Sequence, residues 1–598
     1  MARLKPGVSI DQANAELELI ARNQEQAYRN KEQALGYNYS EYIGRGIFLM
    51  PIREAYFGQI NQVLVVLLGA VGLILLLACA NIANLLLARA TTRTREVALR
   101  AALGASRMRI VRQLLTESLA LALLGGALGV LLAFIGSGAI VALIPTGTIP
   151  PELQINIDRQ VLGGAFIVSI LSALLFGLWP ALSLSKPDLN NELKEGGQTS
   201  AGGRQAGARS VLVILQVAIS LVLLVIAGLM VRSLVRLMQI DPGLKPESLL
   251  TMRLNISPAK SKNQPIADIF QQLSDRIGTI PGVRSVGFAS HIPFEQTESF
   301  NVTIEGKADE GAAQSELVDT RTISTEYIQA MGMRLIEGEG FSAQDRAGAP
   351  PMVIVNQTLA RHFWPNESAV GMRLKVGRSN SDNPWMKVKG VVADSAQMTL
   401  NGPIKPEVYF SHWQLGQRYR RMNLVIRTDV DPPSLVNTIR REIQSVDKDQ
   451  PIYNVLTIEE WIGRSVSALR FAMTLLVIFA VLALALATIG VYGVISYSVA
   501  LYTREFGIRI ALGAQARDVL KLVVAHGMVL VLIGVAVGLG ASFALIRLVR
   551  SLISGVDKFD PLTFASSAFL LILVALLACW VPARRATKVD PLVALRCE

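Results

Sequence analysis

The chain has 598 residues, of which 51% are apolar and 17% charged, and its mean hydropathy is +0.41. A single soluble domain of this length would be less apolar, so the composition excludes that class and favours a membrane protein with a soluble part. The net charge of +12 would also suit a nucleic-acid partner. The basic residues cluster beside apolar runs, however, so we expect the lipid bilayer as a partner and no nucleic acid.

Seven charge-free runs are long enough to cross the roughly 30 Å of bilayer hydrocarbon, which takes about 20 helical residues. They are rich in Leu, Val, Ala and Ile, and they occupy residues 55–88, 118–151, 160–185, 210–231, 471–503, 522–546 and 561–583. The sequence therefore predicts an α-helical polytopic membrane protein with seven spans.

The orientation of the spans follows from the Lys and Arg residues of the short loops, which collect on the cytoplasmic side. Basic residues dominate loops 89–112, 186–209 and 504–521 and the tail 584–598. These four stretches are predicted to be cytoplasmic, which places the long polar stretch 237–468 outside. Four arginines depart from this rule at the outer ends of spans, and their long side chains are expected to reach the lipid headgroups: Arg232, Arg236, Arg547 and Arg550.

Seven spans and a cytoplasmic tail put residues 1–54 outside, although no span or signal sequence precedes them. In the second half, one span and a large outer domain come before the next three spans. We therefore expect that residues 1–54 are the remnant of a first extracytoplasmic domain and that its preceding span is missing.

An internal repeat connects the two halves. Arg95–Gln113 aligns with Arg504–Leu522 without a gap, and both copies contain Arg-Glu, a second Arg five residues later and Ala-Leu-Gly-Ala. A basic amphipathic segment between spans, at the same place in both halves, indicates an inner helix that a partner grips. The alternative is a positively charged loop that only orients the protein. A period near 400 residues indicates duplication of a four-span unit, each with an outer domain after its first span.

The outer domain is predicted to be α+β, because two β-α-β patterns bracket a middle piece at about 318–405. The first pattern is Leu250–Ile256, Ile266–Ile280 and Val283–Ala289, and the second is Leu424–Ile426, Pro433–Val446 and Val455–Ile458. The middle piece has strands of its own, Met352–Val355 and Val388–Val392, so we expect one subdomain inserted in another.

No Walker A motif is present, since Gly306-Lys307 is followed by Ala308 rather than Ser or Thr. The four histidines lack ligand spacing, and no catalytic signature stands out. We therefore predict no enzyme activity, no catalytic residues, no metal site and no cofactor bound by this chain.

Three motifs carry a family resemblance: Asn81-x-x-Asn84-Leu-Leu-Leu, the Arg-Glu…Ala-Leu-Gly-Ala repeat, and an ending with Pro-Ala-Arg-Arg-Ala…Asp-Pro. They resemble the MacB/FtsX-like permeases of ABC transporters, and the duplicated layout resembles the orphan duplicated-permease branch known mainly from acidobacteria. The resemblance implies a bacterial inner-membrane protein with a MacB-like periplasmic core domain. It also implies mechanotransmission, in which a separate cytoplasmic ABC ATPase dimer binds ATP and moves the inner helices while the outer domains respond.

The resemblance assigns ATPase coupling to the two inner segments. The residues are Arg95, Glu96, Arg100, Leu103, Gly104 and Ala105 in the first copy, and Arg504, Glu505, Arg509, Leu512, Gly513 and Ala514 in the second. This chain departs from the pattern because it has no fused ATPase and carries both halves on one polypeptide, so the identity of the ATPase stays open.

The predicted organisation is a domain remnant (1–54), three FtsX-like spans (55–185), a cytoplasmic linker (186–209), the first span of the second repeat (210–236), the periplasmic core domain (237–468), three more spans (469–583) and the tail (584–598). The expected function is the permease subunit of an ABC-type efflux or extrusion system, with a periplasmic adaptor as a further partner. The alternative is a non-transporting signalling device that activates an envelope enzyme or a sensor.

Overall fold

The structure is a computed structural model, and it describes residues 4–20, 23, 49, 51, 61–92, 106–143, 158–184, 201–257, 264–306, 316–377, 383–400, 402–415, 419–549 and 560–587. The chain divides into two compact units. One, called here the αβ unit, comprises Met1–Gly58 and Arg236–Val466. The other, called the helical unit, comprises Gln59–Val235 and Ser467–Glu598.

Long apolar helices build the helical unit. In chain order they are α1 (Asn61–Thr92), α2 (Arg107–Leu143), α3 (Arg159–Leu184), α4 (Ala201–Met238), α11 (Ser467–Leu501), α13 (Ala516–Val549) and α14 (Pro561–Ala586), with the short α12 (Thr503–Ala511) between α11 and α13. Within the described residues, each of the seven predicted spans overlaps one long helix. Among the described residues, six helices are long and apolar enough to cross a membrane, whereas α3 contributes only the shorter apolar stretch Arg159–Leu171. The chain is therefore polytopic, and the seventh span stays a prediction.

Helix α4 lies at the centre of the helical unit because two of its faces are buried. Val217 and Leu221 belong to an apolar cluster with side chains of α11, α13 and α14. Ile219 and Leu223 belong to a second cluster with side chains of α1 and α11. An apolar helix that packs on both sides brings the two halves of the chain together, since α1 comes from the first half and α11 from the second.

One eleven-stranded sheet forms the frame of the αβ unit. Its strands are β1 (Leu249–Asn255), β2 (Val283–Ala289), β3 (Glu298–Ile304), β4 (Glu316–Ile323), β5 (Leu335–Gly338), β6 (Met352–Asn356), β7 (Arg373–Val376), β8 (Met386–Val392), β9 (Glu407–Ser411), β10 (Arg421–Thr428) and β11 (Ile452–Thr457). The order is β11-β1-β10-β2-β4-β3-β7-β8-β6-β9, with β5 on β8 and an additional parallel β4–β9 pair.

The helices of the αβ unit are α5 (Ile266–Gly278), α6 (Tyr327–Met331), α7 (Gln357–Phe363), α8 (His412–Leu415), α9 (Pro432–Val446) and α10 (Ile458–Ser465). Both predicted β-α-β patterns are present, as β1-α5-β2 and β10-α9-β11. They interleave, because β10 lies between β1 and β2 and pairs antiparallel with both. The apolar faces of α5 and α9 share one buried cluster with side chains of β1, β2 and β10. The prediction that this domain is α+β is confirmed.

The middle piece has its own apolar core, which includes Val353, Leu374 and Val388. Its two predicted strands are β6 and β8. Strands β3 and β9, which flank residues 318–405, pair directly with strands of the middle piece. The boundary of the inserted subdomain therefore stays a prediction.

A buried ion pair joins β4 to β9. The Nη2 atom of Arg321 lies 3.0 Å from Oε1 of Glu407, and both side chains are at most 1% exposed. Arg321 Nη1 donates to the Tyr327 hydroxyl at 2.9 Å, and the Tyr409 hydroxyl donates to Glu407 at 2.8 Å. Burial alone would lower the pKa of Arg321, but the Glu407 carboxylate outweighs it and the pKa is raised. The guanidinium therefore stays charged in the core.

Candidate functional site

The second inner segment is a continuation of the α11 backbone. Only Tyr502 separates α11 from α12, and its N–H donates to the Ser498 carbonyl at 3.0 Å while its own carbonyl accepts from Phe506 at 2.9 Å. The Thr503 hydroxyl donates to the Val499 carbonyl at 2.8 Å. Hydrogen bonds therefore run across the joint, and the backbone of α11 continues into α12.

The Ala-Leu-Gly-Ala sequence ends α12 in a tight turn. Gly513 has a φ of +99°, in the left-handed region that favours glycine. Its N–H donates to the Ile510 carbonyl at 3.0 Å, and the Ala514 N–H donates to the Arg509 carbonyl at 2.9 Å. These two bonds define a Schellman motif, which satisfies the last carbonyls of a helix and stops it. The glycine therefore has a backbone role, and it leaves Leu512 at the tip of the turn.

One face of α12 anchors the helix to the helical unit. Phe506 is 4% exposed and belongs to the same apolar cluster as Val519 of α13 and Ala583 of α14, and Ile510 packs against that cluster one turn later. Sequence reasoning did not single out Phe506 or Ile510. Their i, i+4 spacing was the available signal.

The opposite face of α12, together with its turn, is exposed. Leu512 is 82% exposed and Ile508 is 42% exposed. Glu505 and Arg509 form an i, i+4 ion pair at 2.5 Å, with both side chains 46% exposed. The backbone of Arg504 lies in α12, and its side chain is outside the described residues. We call Glu505, Ile508, Arg509 and Leu512 the inner-helix surface, which combines two apolar side chains with one charge pair.

The first inner segment cannot be compared residue by residue. Its predicted coupling residues lie outside the described residues: Arg95, Glu96, Arg100, Leu103, Gly104 and Ala105. Their coupling role stays a prediction, as does that of the second set. The described chain resumes at Ser106, which aligns with Gln515, and α2 begins at Arg107 as α13 begins at Ala516.

A polar cluster inside the helical unit was not predicted from the sequence. The Asn81 amide nitrogen donates to the Leu486 carbonyl at 2.8 Å, and the Gln216 amide nitrogen donates to Asn81 Oδ1 at 3.0 Å. Ser220 donates to the Ala483 carbonyl at 2.9 Å. Buried polar groups need such partners, so these bonds fix the register of α1 and α4 on α11.

A cavity of about 30 Å³ adjoins this cluster and is lined in part by Asn84, Arg209, Gly490 and Gly493. The Arg209 guanidinium lies 3.9 Å from the centre of the Tyr497 ring, a cation–π arrangement. Arg209 is itself 4% exposed. A residue predicted to belong to a cytoplasmic linker therefore packs among the helices.

An ion pair at the end of α4 differs from what the sequence predicted for Arg232. Arg232 was expected to reach the headgroups, but its guanidinium is paired with the Asp560 carboxylate at the start of α14. The Thr563 hydroxyl also donates to Asp560. Sequence spacing gives no sign of this pair, because Arg232 and Asp560 are 328 residues apart.

Six helices long and apolar enough to cross a membrane, with an α+β unit between α4 and α11 in the sequence, define a polytopic membrane permease with an extracytoplasmic domain. The family model described as FtsX-like permease C-terminal matches residues 68–189 and 477–591, and the MacB-like periplasmic core domain matches 210–446. The chain belongs to the MacB/FtsX-like permeases of ABC transporters.

Two relatives carry the name macrolide export ATP-binding/permease protein MacB. The protein from Salmonella paratyphi A (strain ATCC 9150 / SARB42) is 28% identical over 290 residues, which are 47% of this chain and 44% of that protein. The protein from Escherichia coli (strain K12) is 26% identical over 285 residues, 46% of this chain and 43% of that protein. The matched region thus spans less than half of the length of these relatives.

Two solved structures are similar to parts of the chain. The periplasmic region of MacB from Actinobacillus actinomycetemcomitans has a TM-score of 0.26 and 14% identity, and the match covers 38% of this chain and 95% of that one. The extracellular domain of the noncanonic ABC-type transporter YknZ from Gram-positive bacteria has a TM-score of 0.23 and 13% identity, with 34% and 100% covered.

Proposed function

We propose that this permease transmits ATP-driven motion from a separate cytoplasmic ABC ATPase dimer to its extracytoplasmic domain, as part of an efflux system in a bacterial inner membrane. In this proposal ATP binds to the partner subunit, and helix α12 of this chain receives the motion and passes it to α11. A periplasmic adaptor is a further proposed partner. The substrate class named for the relatives, macrolides, is one candidate cargo.

The inner-helix surface is the observation that supports coupling. A surface that only oriented the protein would need charge, whereas this one combines the 82% exposed Leu512 with Ile508 and a charge pair. Binding sites often concentrate their energy in a few well-packed anchors, and surrounding charges favour the correct orientation. Phe506 and Ile510 hold the opposite face, so a force applied at Leu512 reaches α11 and α13.

Because α12 is continuous with α11, its motion would pass to the packed helices of the helical unit. Helix α11 contributes to both apolar clusters of the helical unit, and α4 lies between them. Side chains in close-packed clusters move together rather than independently, so a shift of α12 displaces α11 against α4. The chain of contacts from inner helix to spans therefore consists of packed helices throughout.

A photo-crosslinking amino acid at position 512, in the full-length permease in native membranes, tests the proposal. We expect crosslinks to a polypeptide that carries a Walker A motif. The matched control is the same amino acid at position 562, an exposed leucine at the start of α14 on the predicted outer side. Crosslinks from position 512 to lipid alone, or equal ATPase crosslinking from both positions, would contradict the coupling role.

A further inference from the structure

Two glycine pairs occupy matched positions in the two halves of the chain. The ungapped alignment of the inner segments continues into the following helices, where Gly125 and Gly129 of α2 align with Gly534 and Gly538 of α13. Each pair has the spacing that lets another helix approach closely within a membrane. The two pairs therefore offer an internal comparison of the same helix face in two surroundings.

In the second half, α4 fills this face. A Cβ atom on Gly534 would lie 2.7 Å from Val217 Cβ, and a Cβ atom on Gly538 would lie 2.9 Å from the Ala218 carbonyl oxygen and 3.1 Å from Leu221 Cβ. Neither position can carry a side chain without displacing α4. Because contacts advance in the same direction along both helices, α4 and α13 run parallel.

In the first half, the same face is open. Cβ atoms on Gly125 and Gly129 would meet no described atom within 4 Å. The neighbouring Leu121 is 55% exposed, whereas Leu530, its counterpart on α13, is 8% exposed. The two faces carry the same residues, two glycines and a leucine. The difference in exposure therefore comes from α4, which covers the face of α13, while no described helix covers the face of α2.

We propose that Gly125 and Gly129 form the floor of a docking groove for one apolar transmembrane helix that resembles α4 and runs parallel to α2. The occupant needs small or β-branched side chains opposite the glycines, as the Ile214–Leu221 segment of α4 supplies to Gly534 and Gly538. A polar or charged helix is excluded, because hydrocarbon surrounds the groove and would leave its polar groups without partners. This inference is independent of the coupling role of α12.

The test uses the full chain in lipid nanodiscs and a synthetic peptide with the sequence of residues 209–238 as the probe. A photo-crosslinking amino acid at position 121 reports docking beside the glycine floor. We expect saturable crosslinking to the peptide. The double substitution Gly125→Leu with Gly129→Leu should lower the apparent affinity by about tenfold or more, because close helix approach is lost.

Two controls keep the result specific. Gly138 also lies on α2 with open space around a Cβ, but on the opposite face, so Gly138→Leu should leave crosslinking unchanged. A peptide with Ala218→Trp should fail to compete, which tests the groove without altering the protein. No saturable crosslinking, equal loss with Gly138→Leu, or crosslinks between two copies of the chain in place of the peptide would each overturn the proposal.

Discussion

Asn81 and Gly490 occupy the same position in the two halves of the chain, 409 residues apart, and they lie against each other. A Cβ atom on Gly490 would be 2.8 Å from Asn81 Oδ1 and 2.0 Å from Gln216 Oε1. One turn further, Asn84 and Gly493 are matched in the same way and line one cavity. The halves are therefore complementary at this junction: asparagines from α1 meet glycines from α11.

Replacing Gly490 with alanine should destabilise the helical unit. The added methyl group displaces the Gln216 amide, which breaks its hydrogen bond to Asn81. We expect a loss of roughly 1–3 kcal/mol, the usual cost of overpacking. Thermal unfolding of the purified chain in detergent measures it. Gly493→Ala is the matched control, since a Cβ there meets open space, and an equal loss from both variants would contradict the complementarity.

A second prediction concerns the buried pair of Arg321 and Glu407. Glu407→Gln leaves a guanidinium that is 0% exposed without its counter-charge. We expect a loss of about 3–5 kcal/mol in the free energy of unfolding, the typical cost of breaking a buried pair. Urea unfolding followed by tryptophan fluorescence is the measurement.

The control for this experiment is a pair on the surface of the same αβ unit. Arg373 and Glu305 lie 2.6 Å apart, with their side chains 53% and 38% exposed. Glu305→Gln should cost less than about 1 kcal/mol, because solvent screens exposed pairs. Similar losses from Glu305→Gln and Glu407→Gln would show that burial does not govern the strength of the inner pair.

The αβ unit should lose stability as the pH falls from about 6.5 to about 4. Burial lowers the pKa of His412 from 6.5 to about 4, and burial with the charge of Arg321 does the same for His291. Between these values the unfolded chain binds protons that the folded unit does not, so stability is complete above pH 6.5 and declines below it. Hydrogen exchange of peptides covering β2 and β9, in the full chain, follows the decline.

His412→Phe should flatten this pH dependence while it keeps an aromatic ring beside Phe288, whose ring centre lies 4.7 Å from that of His412. The informative quantity is the slope of protection against pH, since the substitution itself shifts absolute stability. An unchanged slope in the double variant His291→Phe with His412→Phe would place the acid sensitivity in other groups.

The features read correctly from the sequence are those with a local periodicity. Hydropathy located the long helices, and alternation with helical spacing located β1-α5-β2 and β10-α9-β11 to within a few residues. The position of β10 between β1 and β2 could not be predicted from the sequence. Strand order depends on which surfaces pack together and not on spacing along the chain. The same applies to Arg232 with Asp560 and to Arg321 with Glu407.

Within the candidate site, the repeat pointed to the inner segments, but it could not divide them into faces. From the sequence, the glycine of Ala-Leu-Gly-Ala could close a tight turn or let a partner approach. The φ of Gly513 shows that this glycine closes a turn at the end of α12, and Leu512 beside it is exposed. The anchoring face was not predicted, although Phe506 and Ile510 have the i, i+4 spacing of one helix face.

The final prediction concerns Leu103 and Leu512 as anchors for the ATPase. Replacing both with aspartate puts a charge where an apolar contact is proposed, so association should weaken by roughly 2–4 kcal/mol per anchor if each is a hot spot. Membrane insertion should persist, because both residues lie in predicted cytoplasmic segments. Co-purification of the permease with its ATPase from membranes is the measurement, with the expression level as control. Leu562→Asp makes the same change at a leucine of 68% exposure on the predicted outer side and should leave the ATPase bound. Undiminished co-purification of the double variant would leave these segments with the simpler role of setting the orientation of the spans.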